Sequence, residues 1–312
     1  MQNNHPTPEQ PVPDLSIVLV CLNNRRYLEP CLQSLYAGGL QSRFDVTVVD
    51  NGSTDGSQAM LAAQFPAVQL LQNAGNVGLG RASNQGIEAT RGRYILLLND
   101  DTLVNGPSLD AMVRFLDTHP DAAAAGGRLL NPDGSPQAYY NNFPTLREEF
   151  LIATRLGALL WPAYPANVSD DQVRSVGWIG SACLMLRRAA LDQVGLLDDS
   201  YFIYGDEADL QYRLKQAGWN IYYLPHASTI HYGGRSMDRW RRRKMVYRGK
   251  ILFYRKNYDA RRALLLRAML GGLSLAKLGY WGLAALLPPQ RARAQKELQS
   301  NLDVVRLCYR PE

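Results

Sequence analysis

One stretch constrains this chain more than any other: Tyr94-Ile95-Leu96-Leu97-Leu98-Asn99-Asp100-Asp101-Thr102. It begins as an unbroken apolar run bounded by polar residues. Such a run reads as a short strand covered on both faces, the kind that parallel sheets contain. In open α/β sheets, ligands bind in the crevice beyond the carboxyl ends of the strands. The run therefore delivers an amide and two carboxylates to a ligand-binding edge. Successive side chains of an extended chain point to opposite sides, so Asn99 and Asp101 share a side and Asp100 faces away. Oxygen donors there suit Mg²⁺ or Mn²⁺, and those ions suit a diphosphate. The plainer reading is a polar strand end with Asp101 capping the next helix. The stretch alone does not separate the two.

The residues before it repeat the same design. Leu15-Ser16-Ile17-Val18-Leu19-Val20 predicts a strand ending at Cys21-Leu22-Asn23-Asn24. A helix with Leu28, Leu32 and Leu35 at helical spacing follows, closed by Gly38-Gly39. A second strand over 44–49 ends in Asp50-Asn51-Gly52-Ser53-Thr54-Asp55-Gly56-Ser57, a loop of short polar side chains and glycine that can turn tightly against a ligand. Another helix and a short strand at 68–71 complete a β-α-β-α-β order, which argues a parallel, doubly wound sheet. Small residues at Gly78, Gly80, Ala82, Ser83 and Gly86 imply a helix whose start packs closely on something, either the sheet or a diphosphate. Helix 108–118 and strand 122–126 close the first half.

Residues 131–175 are less regular. A turn at Asn131-Pro132-Asp133-Gly134 precedes Tyr139, Tyr140, Phe143 and Trp161, which make either a substrate platform or a cap on the core. Strand character returns over 178–187 as one run, and again at 221–225. The segment 229–234 closes this part. Between them, Asp206, Glu207 and Asp209 open a helix with Leu210, Leu214 and Ala217 on one face. Acids at a helix start complement its dipole. Three in four residues exceed what a cap requires, and crowding can raise one pKa and create a general base.

Charge divides the chain. Residues 1–234 hold 15 Lys+Arg against 23 Asp+Glu, whereas residues 235–312 hold 19 against 5. Basic tails bind nucleic acid or anionic membranes. No RNP, KH or zinc pattern supports nucleic acid. The leucine-rich stretch 264–287 is interrupted by Arg267 and Lys277, and the uninterrupted run between them, 268–276, falls short of the ~20 residues a membrane span needs. An amphipathic segment lying on the membrane fits better, with the basic run 241–244 facing anionic lipid. The alternative is a soluble helical appendage. Cys21, Cys31, Cys183 and Cys308 form no CxxC, so reduced thiols in the cytosol are expected. Residues 1–13 are polar and proline-rich, a flexible leader without the apolar core of a signal peptide.

The stretches SIVLVCLNN, VVDNGSTDGS, NVGLGRASNQG, YILLLNDDT, WIGSACLMLRR, FIYGDEADL and HYGG, in this order over residues 15–234, resemble the family 2 glycosyltransferases, and within them the rhamnosyltransferase-like enzymes of bacterial surface polysaccharides. The resemblance implies a GT-A fold, an α/β architecture with a Rossmann-like, mostly parallel sheet. It implies a catalytic domain over 14–234, with a nucleotide-binding half (14–130) and an acceptor half (131–234), followed by the basic helical region 235–312. It implies an inverting transfer of a sugar from a nucleotide-activated donor to a hydroxyl of a glycan or lipid-linked acceptor. The first expectation for the donor is dTDP-rhamnose, with UDP-sugars behind it. Asp50 is expected at the nucleobase, and Asn23, Asn51, Asn76, Gly78, Asn84, Asn99 and Asp100 along the donor nucleotide. Asp101 and His231 are expected at Mg²⁺ or Mn²⁺. Where the family reads Glu-Asp-x-Asp, this chain reads Asp206-Glu207-Ala208-Asp209. The base position falls on Glu207, and the swap leaves Asp206 as a rival. The expected location is the cytoplasmic face of the cell membrane. A catalytically silent nucleotide-sugar-binding scaffold is the alternative function; the retained Asp101, Glu207 and His231 speak against it.

Overall fold

The computed structural model describes residues 12–138, 140–160, 171–233 and 238–309. Most of the expected leader (1–11) and Tyr139, Trp161 and Gly234 lie outside the described residues.

The chain opens with three β-α repeats. β1 (Leu15–Cys21) leads into α1 (Arg25–Ala37), β2 (Phe44–Asp50) into α2 (Ser57–Gln64), and β3 (Gln69–Gln72) into α3 (Leu79–Glu88). β4 (Tyr94–Asn99), β5 (Thr102–Val104), α4 (Gly106–Thr118) and β6 (Ala122–Leu130) follow. A broken stretch holds β7 (Tyr140–Asn141), α5 (Leu146–Thr154), α6 (Leu156–Leu160), β8 (Arg174–Ser175) and β9 (Trp178–Ile179). Then come β10 (Cys183–Arg187), α7 (Arg188–Val194), α8 (Asp206–Gln216) and the long β11 (Asn220–His231). Three helices end the described chain: α9 (Arg239–Asn257), α10 (Ala260–Ala284) and α11 (Arg291–Tyr309).

The main sheet runs β3-β2-β1-β4-β10-β6-β11-β5, with β8 paired on β11. Its first four strands are parallel; β10 runs antiparallel to both β4 and β6, β11 runs parallel to β6, and β5 antiparallel to β11. The sheet is thus mixed, with a parallel half that matches the expected doubly wound order. The direction of winding reverses between β1 and β4, because the chain goes outward through β2 and β3 and returns on the other side of β1. A crevice opens at such a reversal. Here it is bridged by Asn24 Nδ2, which donates to Asp100 Oδ1 at 2.8 Å.

Local chemistry explains the elements. In α1, Leu28, Cys31, Leu32 and Leu35 form the buried stripe. Asn105 caps α4, its side chain accepting from Ser108 N at 2.8 Å. The small residues of α3 serve close packing: a Cβ on Gly86 would sit 2.3 Å from Val18 Cγ1, and one on Gly78 would sit 2.9 Å from the Phe202 carbonyl. Gly78 also has φ +96°, which favours glycine.

Two expected strands differ. The run 178–187 is two strands, because Gln211 takes over the backbone of Ile179: Ile179 N donates to its Oε1 at 2.9 Å and its Nε2 donates to Ile179 O at 2.7 Å. Ile179 thereby leaves the main sheet and pairs with Tyr140. Conversely, 221–225 and 229–231 belong to one strand, β11, whose register shifts between Leu224 and Ser228. Pro225, which has no N–H to give to a ladder, lies in that shift.

The C-terminal helices share a second apolar cluster with the chain at and before α8, in which Tyr201 and Ala208 join Leu252, Phe253, Tyr254, Leu266 and Leu270. α10 is 25 residues long and, by length and composition alone, apolar enough to cross a membrane, more than its interrupted sequence suggested. Part of it is nevertheless packed on the protein, with Ala263, Leu266, Leu270, Gly271, Ser274 and Ala284 buried.

Gly86→Val tests the α3 contact. The larger side chain must push α3 off β1, and overpacking of this kind costs about 1–3 kcal/mol. Urea unfolding should show that loss; an unchanged midpoint would mean α3 does not bear on Val18.

Candidate active site

The carboxyl ends of β1 to β4 are stitched by amides. Asn23 Oδ1 accepts from Thr54 N at 2.7 Å and Thr54 Oγ1 at 3.2 Å, holding the end of β1 to the loop after β2. Asn23 itself has φ 51°, a conformation asparagine tolerates better than most residues. Asp50 is fully buried; it accepts from Ser53 N at 3.2 Å and from Gln58 Nε2 at 2.5 Å. Asn51 Nδ2 donates to the Gly78 carbonyl at 3.3 Å and to Asn76 Oδ1 at 3.4 Å, and Asn76 Oδ1 accepts from Gly78 N at 2.9 Å. Asn73 and Gln85 extend this net, each donating to the other's side-chain oxygen, at 2.8 and 3.0 Å. Asn84 points elsewhere: both ends of its amide bond the backbone of Leu197, at 2.7 and 3.1 Å, so it ties α3 to the chain before α8. A cavity of about 350 Å³ beside Asn23 is lined also by Arg25, Arg26, Glu29 and Asp55.

At the end of β4 the side chains alternate. Asp100 turns to Asn24, and burial pushes its carboxyl up to about 7. Asn99 and Asp101 both turn to His231, whose Nε2 is 3.4 Å from Asn99 Nδ2 and 3.3 Å from Asp101 Oδ1. Pairing of β5 with β11 sets His231 opposite Thr102. Gln137 fixes the ring: its Nε2 donates to the His231 carbonyl at 2.6 Å and to Asn131 Oδ1 at 2.7 Å, so its Oε1 faces His231 Nδ1 at 2.9 Å. A carbonyl oxygen only accepts, and Nδ1 therefore carries a proton. With that proton on Nδ1, Nε2 is the ring nitrogen turned to Asp101 Oδ1 and available to a ligand.

Two electron-rich atoms at that separation fit adjacent ligands of one octahedral ion, which lie about 3 Å apart when the bonds are near 2.1 Å. A histidine whose other nitrogen is locked by an amide is the usual support for such a ligand. Among the described residues no group of three His, Cys, Asp or Glu side chains gathers, so an ion held here would need further ligands beyond these two.

The acidic triplet of α8 is divided by depth. Asp209 is structural: its Oδ2 accepts from Arg213 Nε at 3.0 Å, and its Oδ1 accepts from Asn257 Nδ2 at 2.7 Å and the Tyr201 hydroxyl at 3.2 Å. Asp206 is 1% exposed, and its Oδ1 is buried without a hydrogen-bond partner. Burial, and the Glu207 carboxylate beside it, push the Asp206 carboxyl well above the usual carboxylate range. Glu207 is half-buried and accepts a 2.5 Å hydrogen bond from Ser181 Oγ, in the break between β9 and β10. Asp206 therefore meets Glu207; its helix-face neighbour three residues on looks the other way, toward α9. Neither Gln137 nor Ser181 stood out in the sequence. Gln137 lies in an irregular stretch, and Ser181 sits inside what reads as a strand.

Residues 16–195 match the family model described as Glycosyl transferase family 2. The chain belongs to this family. An N-acetylglucosaminyl-diphospho-decaprenol L-rhamnosyltransferase of Mycobacterium tuberculosis is 31% identical over 245 residues, which cover 72% of this chain and 78% of that protein. The rhamnosyltransferase WbbL of Escherichia coli is 24% identical over 69% of this chain and 82% of its own. This glycosyltransferase is therefore rhamnosyltransferase-like in sequence. Its fold is GT-A-like, as in the Pyrobaculum calidifontis mannosyltransferase PcManGT in complex with GDP-Man and Mn²⁺ (TM-score 0.57, 15% identity, 96% of this chain and 88% of that one). Staphylococcus aureus TarS 1–349 matches with TM-score 0.51 at 15% identity, over 94% of this chain and 90% of its own.

The triplet's division is testable on stability. Asp209→Ala removes the acceptor shared by Arg213 Nε, Asn257 Nδ2 and the Tyr201 hydroxyl, and leaving such donors unsatisfied costs about 1–3 kcal/mol. Chemical denaturation should show that loss; a cost under about 1 kcal/mol would mean the Asp209–Arg213 pair is solvent-compensated.

Proposed function

We propose that this glycosyltransferase is an inverting, metal-dependent enzyme that moves L-rhamnose from dTDP-rhamnose to a hydroxyl of a glycan or lipid-linked acceptor in bacterial surface polysaccharide synthesis. The names of the mycobacterial and Escherichia coli relatives support rhamnose, and the mycobacterial name supports a diphospho-polyprenol acceptor. The net charge of the C-terminal region supports work at the cytoplasmic face of an anionic membrane.

The observation that carries the mechanism is the environment of Glu207. Of the three acids of α8 it alone is not buried, and Ser181 and Asp206 aim it from two sides. Two carboxyls in contact share one proton. The buried Asp206 keeps that proton, and Glu207 acts as the base. Glu207 removes the acceptor hydroxyl proton as that oxygen attacks the anomeric carbon. The bond from that carbon to the diphosphate breaks, its electron pair leaves with the nucleoside diphosphate, and the configuration inverts. Asp101 and His231, with Asn99 beside them, would hold Mg²⁺ or Mn²⁺. Such an ion, when bound, supplies positive charge to the diphosphate leaving group. Asp50, Asn51, Asn76 and Gly78 line the nucleotide; Asn23, Asn84 and Asp100 hold the loops and strand ends that do so.

Single-turnover transfer, measured beside donor binding, tests the base. Glu207→Gln should retain donor affinity and lose about two to four orders of magnitude in rate. Asp206→Asn should lose less, since an amide also donates to Glu207. A dead Asp206→Asn beside an active Glu207→Gln would make Asp206 the base. Stability gives a second readout. A carboxyl raised in the folded state costs stability as pH climbs from its ordinary value near ~4 toward its folded value. Asp206→Asn should flatten that decline in melting temperature.

A further inference from the structure

Between residues 264 and 287 the only charged residues are Arg267 and Lys277, and both turn inward. Arg267 Nε donates to the Cys308 carbonyl at 2.8 Å, and Lys277 Nζ to the Ala153 carbonyl at 2.8 Å. The two charges that interrupt the leucine-rich sequence thus leave the outward face of α10 uncharged. Leu264, Leu275, Tyr280 and Leu283 lie on it, and Leu286 and Leu287 continue it just past the helix end, each between 50 and 78% exposed. The exposed residues between them are leucine, alanine and glycine. Single exposed leucines are ordinary on a protein surface, but an uncharged stripe about 30 Å long is an interaction surface.

Beside the start of the stripe, α9, α10 and α11 border a groove of about 210 Å³. Arg248, Arg255 and Arg267 line it above apolar Ile251, Leu252 and Leu264. Leu264 belongs to both the groove and the stripe, so the two are continuous. At the far end Tyr280 stands on the exposed face, and its ring packs edge-on against Trp281 at 5.1 Å. Aromatic side chains of this kind favour the level of lipid headgroups.

We propose that the outward face of α10, with the arginine groove at its start, lies in the headgroup region of an anionic phospholipid bilayer. Acyl chains meet the leucine stripe, and the exposed Arg248 and Arg255 take lipid phosphates. The proposal rests on the membrane-surface reading above and deepens it: attachment comes from apolar insertion, with charge secondary. A second copy of the chain is a poorer occupant. A two-fold pair brings the same patch of each subunit together, which sets like-charged arginine grooves on one interface.

Flotation of the full chain with phosphatidylcholine vesicles, with and without about 30% phosphatidylglycerol, tests this at low and high salt. The parent should float with the anionic vesicles and be weakened, not released, by salt. Leu283→Glu with Leu286→Glu should lower the bound fraction about tenfold or more at either salt. Arg248→Gln with Arg255→Gln should lower it several-fold on anionic vesicles only. These side chains are exposed, so unchanged melting temperatures separate lost docking from lost fold. If the parent floats and the double leucine variant floats equally, charge alone attaches the protein; the α10 face is then wrong while the membrane reading stands. If the parent floats under no condition, both are wrong. A parent dimer that the leucine variants dissociate, with no vesicle binding, would show that a second copy covers the face.

Discussion

The candidate site depends on one backbone pairing, β5 with β11. Antiparallel hydrogen bonding sets His231 opposite Thr102, and the Tyr232 amide then donates to the Asp101 carbonyl at 3.0 Å. Residues 130 positions apart in sequence are thereby held as neighbours (Asp101 and His231). Side-chain contacts alone would not fix their separation, because a carboxylate and an imidazole have rotamers to spare. The Gln137 amide removes the last freedom by bonding both the backbone and the ring of His231. Ring orientation is set in this way before any ligand arrives, which is what a preorganised binding group requires.

The same logic divides the acids of α8. Asp209 spends its charge on Arg213, Tyr201 and Asn257 and so couples α8 to α9. Lys250 with Glu149, and Lys256 with Asp198, add further ties between the C-terminal helices and the catalytic half. Asp206 is the costly member. A buried oxygen without a partner lowers stability, and the fold retains it directly beside the half-exposed Glu207. Under the proposed mechanism that unsatisfied atom has a rationale, since a protonated Asp206 beside Glu207 would leave Glu207 the base.

Much of this was legible in the chain. Apolar runs ending in Asn, Asp and Gly marked the strands and the binding edge, because side-chain alternation and burial are local properties. The turn of Asp101 and Asn99 to one side followed from the same alternation. What could not be read depends on contacts distant in sequence. Gln211 replacing a strand partner of Ile179 divided one expected strand into two. Gln137 and Ser181 acquire meaning only through His231 and Glu207, which other elements bring to them. Arg267 and Lys277 interrupt α10 in sequence but not on its surface, because long side chains carry their charge away from the face where the backbone puts it.

The most direct test of the account is calorimetric binding of dTDP, with and without Mn²⁺, to the parent and to Asp101→Ala. The account predicts that Mn²⁺ tightens nucleotide binding by the parent about tenfold or more, and that the variant binds equally with and without the ion. The same Mn²⁺ dependence in both proteins would place the ion away from Asp101 and contradict the assignment on which the proposed site is built.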